Sequence, residues 1–175
     1  MSRAQILEKF VGRKKLIGAI GESADADFII VSGSGGAAGV LSYGDANKTV
    51  LEIGRKILDA GGKIPALAGV FGTDPFRVME NFLGELKAAG FDGVANFPTV
   101  GVIDGKFRAA LEESGLGYGQ EVEMIRAARR LDLLTCAFVF DEKQTADMVK
   151  AGADILVARD FDASAVSAEI LVAEI

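Results

Sequence analysis

Six short apolar runs, separated by amphipathic segments, constrain this chain more than any other feature. They are Leu16 to Ile20, Phe28 to Val31, Ile64 to Phe71, Gly93 to Phe97, Leu133 to Phe140 and Asp154 to Ala158. Each is too short for a stable helix and apolar on both faces, so each reads as a strand of a parallel sheet covered on both sides. Asp45 to Ala60 reads as a helix with Val50, Leu51, Ile53, Ile57 and Leu58 on one broad face, stopped by Gly61-Gly62. Asp74 is placed to cap a helix from Pro75 to Ala89, and Gln120 to Leu131 and Glu142 to Ala151 repeat the pattern. Ala-Gly-Phe-Asp-Gly-Val at 89–94 and Ala-Gly-Ala-Asp-Ile-Leu at 151–156 repeat one helix-stop, strand-start formula. The chain is therefore a series of βα units forming one α/β domain over residues 1–175. A closed barrel of such units has eight strands and about 250 residues. Six strands leave an open sheet, an incomplete barrel, or a barrel finished by another subunit. Residues 163–175 read more readily as helix, with Ile170 to Val172 as a short strand the alternative.

Composition narrows the function. Half of the residues are hydrophobic, enough for a sizeable core, and a net charge of -6 argues against a dominant nucleic-acid-binding face. No apolar run reaches the roughly 18 to 20 residues of a membrane helix, and residues 1–10 lack the apolar centre of a signal peptide. A cytoplasmic protein is expected, with the single Cys136 a small buried hydrophobe. Histidine is absent, which removes Ser-His-Asp and Cys-His catalysis and histidine-rich zinc sites. Acid–base work would fall to Asp, Glu, Lys or Tyr.

Four segments carry candidate chemistry. Gly33, Gly35 and their neighbours to Gly39 follow the second strand and read as a flexible connector, an anion-binding loop or, more remotely, a nicotinamide site. Asp45 and Asn47 stand at the start of one helix, and Thr73 and Asp74 at the start of the next. Each aspartate is either a helix cap or a ligand-facing group, and for a divalent metal Asp45 and Asp74 are the carboxylates to test first. Residues 96–119 are far longer than a strand-to-helix connector requires, and they carry Asn96, Thr99, Asp104, Lys106, Arg108, Glu112 and Glu113 among several glycines. They read as a binding loop or lid, or else as a short extra helix from Phe107 to Ser114 against the sheet edge or a neighbouring subunit.

Tyr43-Gly-Asp-Ala-Asn47, Ala68-Gly-Val-Phe-Gly-Thr-Asp-Pro-Phe-Arg77, Asn96-Phe-Pro-Thr-Val-Gly-Val-Ile-Asp-Gly-Lys-Phe-Arg108 and Leu111-Glu-Glu-Ser-Gly-Leu-Gly-Tyr118 resemble, in order, the phosphoenolpyruvate hydrolase-like family. Its members are also described as TIM-barrel signal transduction proteins. The resemblance implies a shortened or incomplete TIM-barrel-like fold, related to enzymes that handle small oxo-acids with Mg²⁺ and acting as a hydrolase or lyase on phosphoenolpyruvate-like acids. On that basis Asp45, Asp74 and Asn96 are the expected catalytic residues. Gly33, Gly35, Asn47, Thr73, Thr99 and Arg108 would bind substrate, and Asp45 and Asp74 would hold the metal. No nucleotide cofactor is implied. The expected partners are a small anionic ligand and further copies of the chain, which would cover the open edges. The chain departs from the family pattern after Ala158, where Arg159-Asp-Phe-Asp-Ala163 replaces a histidine and a glycine-rich loop. A scaffold, assembly or signalling protein that has lost the activity is the alternative.

Overall fold

The computed structural model describes residues 1–13, 16–20, 25–33, 44–59, 64–158 and 169–172. Five of the expected strands follow the apolar runs closely: β2 (Phe28–Ser32), β3 (Ala66–Gly69), β4 (Gly93–Ala95), β5 (Leu134–Val139) and β6 (Ile155–Ala158). With β1 (Gly18–Ile20) they form six parallel strands in sequential order, curled into a half-barrel with helices between them. The result is an α/β, incomplete TIM-barrel-like fold. The registers Ile29↔Ala66, Leu67↔Gly93, Val94↔Thr135 and Ala137↔Leu156 carry the pairing from β2 to β6.

The alternation of side chains along each strand sorts the core into two parts. Ile29, Val31, Ala66, Ala68, Val94, Ala137 and Val139 face the connecting helices and meet Val50, Phe82, Leu83, Leu86, Val122, Ile125 and Met148. Phe28, Ile30, Leu67, Phe97, Leu134, Cys136, Phe138, Ile155 and Val157 form the second part, inside the curl. That interior is closed by α1 (Arg3–Phe10), which contributes Ile6, Leu7 and Phe10. Ser2 and Gln5 cap the helix reciprocally, and Arg3 Nε fastens it to Asp154 Oδ2 at 2.9 Å. Burying three large side chains supplies α1 with on the order of 5 kcal/mol of docking energy before entropy is counted. Cys136 is fully buried and its thiol is pushed up to about 12, chiefly by burial, so it acts as a small apolar side chain.

The helices are α2 (Ala46–Asp59), α3 (Met79–Ala89), α4 (Gly105–Glu113), α5 (Tyr118–Arg130) and α6 (Glu142–Ala151). Two sequence expectations are corrected. The third helix begins at Met79 rather than Pro75 and is preceded by Val78, which gives no side-chain cap. Asp74 instead accepts Phe76 N–H at 2.9 Å, closing a turn rather than a helix end. Residues 169–172 form β7 (Glu169–Val172), antiparallel to β6, not a helix. The β-branched Ile170 and Val172 suit a strand, and the β6 edge offers unpaired backbone groups. The alternative strand at Ile170 to Val172 is the one formed; the rest of 163–175 lies outside the described residues.

Candidate functional site

The segments that follow β3 and β4 gather the expected residues into two adjoining clusters. In the first, α2 and the β3–α3 turn converge on Arg77. Asn47 is buried and holds the turn in both directions: its Nδ2 donates to Phe71 O at 3.1 Å and to Asp74 Oδ2 at 2.9 Å, and its Oδ1 accepts Phe71 N–H at 2.9 Å. Arg77 Nη1 donates to Asp74 Oδ2 at 2.6 Å, and Nη2 donates to Asp45 Oδ2 at 2.7 Å. Its guanidinium carbon lies 5.4 Å from the centre of the Phe82 ring, a cation–π contact that fixes the plane of the fork.

The two carboxylates differ in exposure, 7% for the Asp74 side chain and 44% for that of Asp45. Asp45 also caps α2, its Oδ1 accepting Lys48 N–H at 2.8 Å. The guanidinium of Arg77 is the main cause that holds the Asp45 carboxyl below its ordinary range. Asp45 in turn is the main cause that raises Arg77. One edge of the guanidinium is therefore anchored on a buried carboxylate, and the other ends on a carboxylate within reach of solvent.

This arrangement bears on the expected metal. Mg²⁺ wants near-octahedral oxygen ligands, few of them from the protein. Asp45 and Asp74 do meet, but across a guanidinium that occupies the space between them. Among the described residues no group of three or more His, Cys, Asp or Glu side chains could hold a metal ion. With Arg77 in place the donor set does not fit a divalent cation.

The second cluster surrounds Glu121, which is fully buried on α5. Its Oε2 accepts Asn96 Nδ2 at 2.6 Å and Thr99 Oγ1 at 2.7 Å, and its Oε1 accepts Val100 N–H at 2.7 Å. Asn96 also accepts Phe138 N–H at 2.7 Å and donates to Phe138 O at 3.2 Å, which locks the end of β4 to β5. Tyr118 donates to the same Phe138 carbonyl at 2.7 Å. Thr99 caps the 3₁₀ turn Val100–Val102 by accepting Gly101 N–H, and the Phe97–Pro98 peptide is cis. Burial pushes the Glu121 carboxyl up to about 7, while Thr99, Val100 N–H and Asn96 restrain the rise. Burial also raises Tyr118.

Gly72 joins the clusters: a Cβ there would lie 3.2 Å from Glu121 Cα, so the β3–α3 turn packs directly on α5. Thr73 is buried beside it. Gly33 has a packing role, because a Cβ there would lie 2.1 Å from the Ala46 carbonyl oxygen at the start of α2. Gly35 and the rest of that loop lie outside the described residues. Arg108, on α4, is separate from both clusters and lies 3.6 Å from Asp141, the N-cap of α6. Two central residues, Arg77 and Glu121, were not among the expected site residues.

The curled sheet and the polar residues at its strand ends define an incomplete βα barrel with a carboxylate–guanidinium site. Residues 15–166 match the profile of the family described as phosphoenolpyruvate hydrolase-like, and the chain belongs to that family. It is 52% identical over 128 residues to the ToMV resistance protein Tm-1(GCR237) of Solanum lycopersicum, across 73% of this chain and 17% of that protein. The ToMV susceptible protein tm-1(GCR26) of the same plant matches to the same extent. A putative transcriptional regulatory protein, y4pA of Sinorhizobium fredii, is 34% identical across 75% of this chain and 23% of its own length. The chain thus spans about a sixth to a quarter of these relatives.

Proposed function

We propose that this chain is a cytoplasmic small-acid-binding module that holds a phosphorylated or oxo-acid anion on Arg77 without turning it over. The single observation behind this reading is the asymmetry of the Arg77 clamp. Asp74 and Phe82 fix the guanidinium from one side, while Asp45, a carboxylate half in solvent, occupies the other edge. An incoming carboxylate or phosphate takes over the hydrogen bond that Arg77 Nη2 gives Asp45 and takes its place. Binding without turnover is favoured because Glu121, Asn96 and Thr99 are spent on one another and shut off from solvent. The names of the relatives, resistance, susceptibility and regulation, suit a module that signals occupancy.

Thermal unfolding with phosphoenolpyruvate, with and without Mg²⁺, tests this. At a hundredfold excess over Kd the transition should rise by about 5 to 10 °C in the native chain and stay put in Arg77→Met. An unmoved native transition at millimolar ligand removes the proposal. A shift that requires Mg²⁺ would instead mean that Arg77 turns away to free Asp45 and Asp74 for a cation.

A second reading, assembly into a homo-oligomer, is favoured by the β1 edge. Ile17, just before that three-residue strand, and Ile20, its last residue, have about half of their surface exposed, 51% and 49%. Light scattering after size exclusion decides it: a monomer mass at micromolar concentration would end this reading.

A further inference from the structure

The α4 helix is attached differently from its neighbours. None of its nine residues is buried, whereas α3, α5 and α6 each bury several. Gly105 and Gly115 bracket it with φ of 58° and 74°, conformations that glycine adopts without strain and that form natural pivots. Among the described residues its own fastenings are the partly buried Leu111 against the core, the Arg108–Asp141 pair at 3.6 Å, and Glu112 Oε1, which accepts Tyr118 N–H at 3.3 Å. The firm hold comes one turn earlier. Glu121 grips the lead-in segment at Asn96, Thr99 and Val100. Beneath that segment a Cβ at Gly101 would lie 2.9 Å from both Phe140 Cδ2 and Tyr118 Cε2, so the segment lies flat on two aromatic rings.

The grip depends on the charge of a carboxyl group that has no cation. Among the described residues no lysine or arginine bonds to Glu121. The ionisable groups facing it are Glu112 from α4 and Tyr118 from its own helix, and Asp141, beside Tyr118 at the β5–α6 turn, is already matched to Arg108. We propose that Glu121 is a proton-operated latch: neutral, it holds the segment Asn96 to Val102 and the α4 flap closed, and its ionisation loosens them and opens the strand ends beneath.

The neutral form keeps the segment held: Oε1 still accepts Val100 N–H, and the 2.7 Å Thr99–Glu121 pair reverses, the carboxyl donating to Thr99 Oγ1 while the Thr99 hydroxyl hydrogen turns away. The ionised form is a buried anion facing Glu112, and opening the flap hydrates it. Linkage gives the sign: the closed state binds the proton more tightly than the open state, so opening grows as pH rises toward the closed-state pKa and levels off above it.

Amide hydrogen exchange of the full chain, corrected for intrinsic rates, reads this directly. With the closed carboxyl near 7 and the open one near 4.5, the open population of residues 100–113 should rise about tenfold between pH 6 and pH 8. The amides of β5 should not follow. Glu121→Gln should abolish the pH dependence; because its amide also places a donor against Asn96 and Thr99, Glu112→Gln serves as the second variant. Removing that facing anion should move the midpoint to lower pH in a folded protein. A pH-independent opening in the native chain, the same profile in Glu121→Gln, or an unmoved midpoint in Glu112→Gln each overturns the latch.

Discussion

Arg77 and Asp74, three residues apart in one turn, form an ion pair at 2.6 Å in which the carboxylate is buried and the guanidinium is a quarter exposed. Asp74 has further partners in Asn47 and Phe76 N–H, but Arg77 is its only cationic one among the described residues. Arg77→Ala should therefore destabilise the chain by about 2 kcal/mol, less than for a fully buried pair because water reaches the guanidinium. Urea denaturation measures it. Asp74→Asn added to Arg77→Ala should recover part of the loss, and if the double variant is worse than the sum, the charge of Asp74 is not the source of the cost.

Asp45 competes with ligand in the proposed site. Asp45→Asn keeps the α2 cap, since asparagine serves at that position as well as aspartate, but gives Arg77 a weaker partner. Affinity for phosphoenolpyruvate should rise about tenfold, the equivalent of 1.4 kcal/mol, in a calorimetric titration. Unchanged or weaker binding would show that the anion sits elsewhere.

Global stability should carry the imprint of Glu121. Its carboxyl titrates near 7 when folded and near 4.5 when exposed, so its contribution is fully present below about pH 4.5 and is lost as pH rises through 7. The difference between the native chain and Glu121→Gln should change by on the order of 3 kcal/mol across that window and then stay constant. Asp45 acts with opposite sign and at lower pH, because its folded pKa is depressed: its contribution fades only as the solution becomes strongly acidic. Chemical denaturation at half-unit pH steps separates the two.

The helix inside the curl is the fourth target. Phe10 is buried, with its ring centroid 6.4 Å from that of Phe28. Phe10→Ala should cost about 3 to 5 kcal/mol and lower the unfolding temperature by roughly 10 °C. A loss below 1 kcal/mol would mean that α1 contributes little to the closed interior.

The sheet was legible because strand order, apolar runs and glycine stops are local signals, and Glu142 to Ala151 matched the observed helix at both ends. The site was only half legible. Asp45 caps its helix as its position suggested and Asp74 does not, and the contacts of Asp45, Asp74, Asn96 and Thr99 run to two residues, Arg77 and Glu121, that look ordinary in one dimension. Arg77 follows a Pro-Phe pair, and its partner Asp45 is 32 residues away on another βα unit. Glu121 lies on a helix that also carries the exposed Glu123. It nevertheless shares a stripe with Tyr118, Val122 and Ile125, at the i−3, i+1 and i+4 positions, and that was the available signal of burial. For α1 the Ser2 and Gln5 spacing is a capping box that the sequence carries in plain view.

The position of α1 also governs when this protein becomes itself during synthesis. Ile6, Leu7 and Phe10 pack in one cluster with Ile155 and Val157, and Arg3 binds Asp154, 151 residues along the chain. A ribosome delivers that helix well before its seat in β6. Sequential βα units are free to pair as they emerge, while the apolar stripe of α1 waits unsheltered until β6 is released. The interval in which the nascent domain is exposed to chaperones or to neighbouring nascent chains is therefore set by the length of chain between α1 and β6.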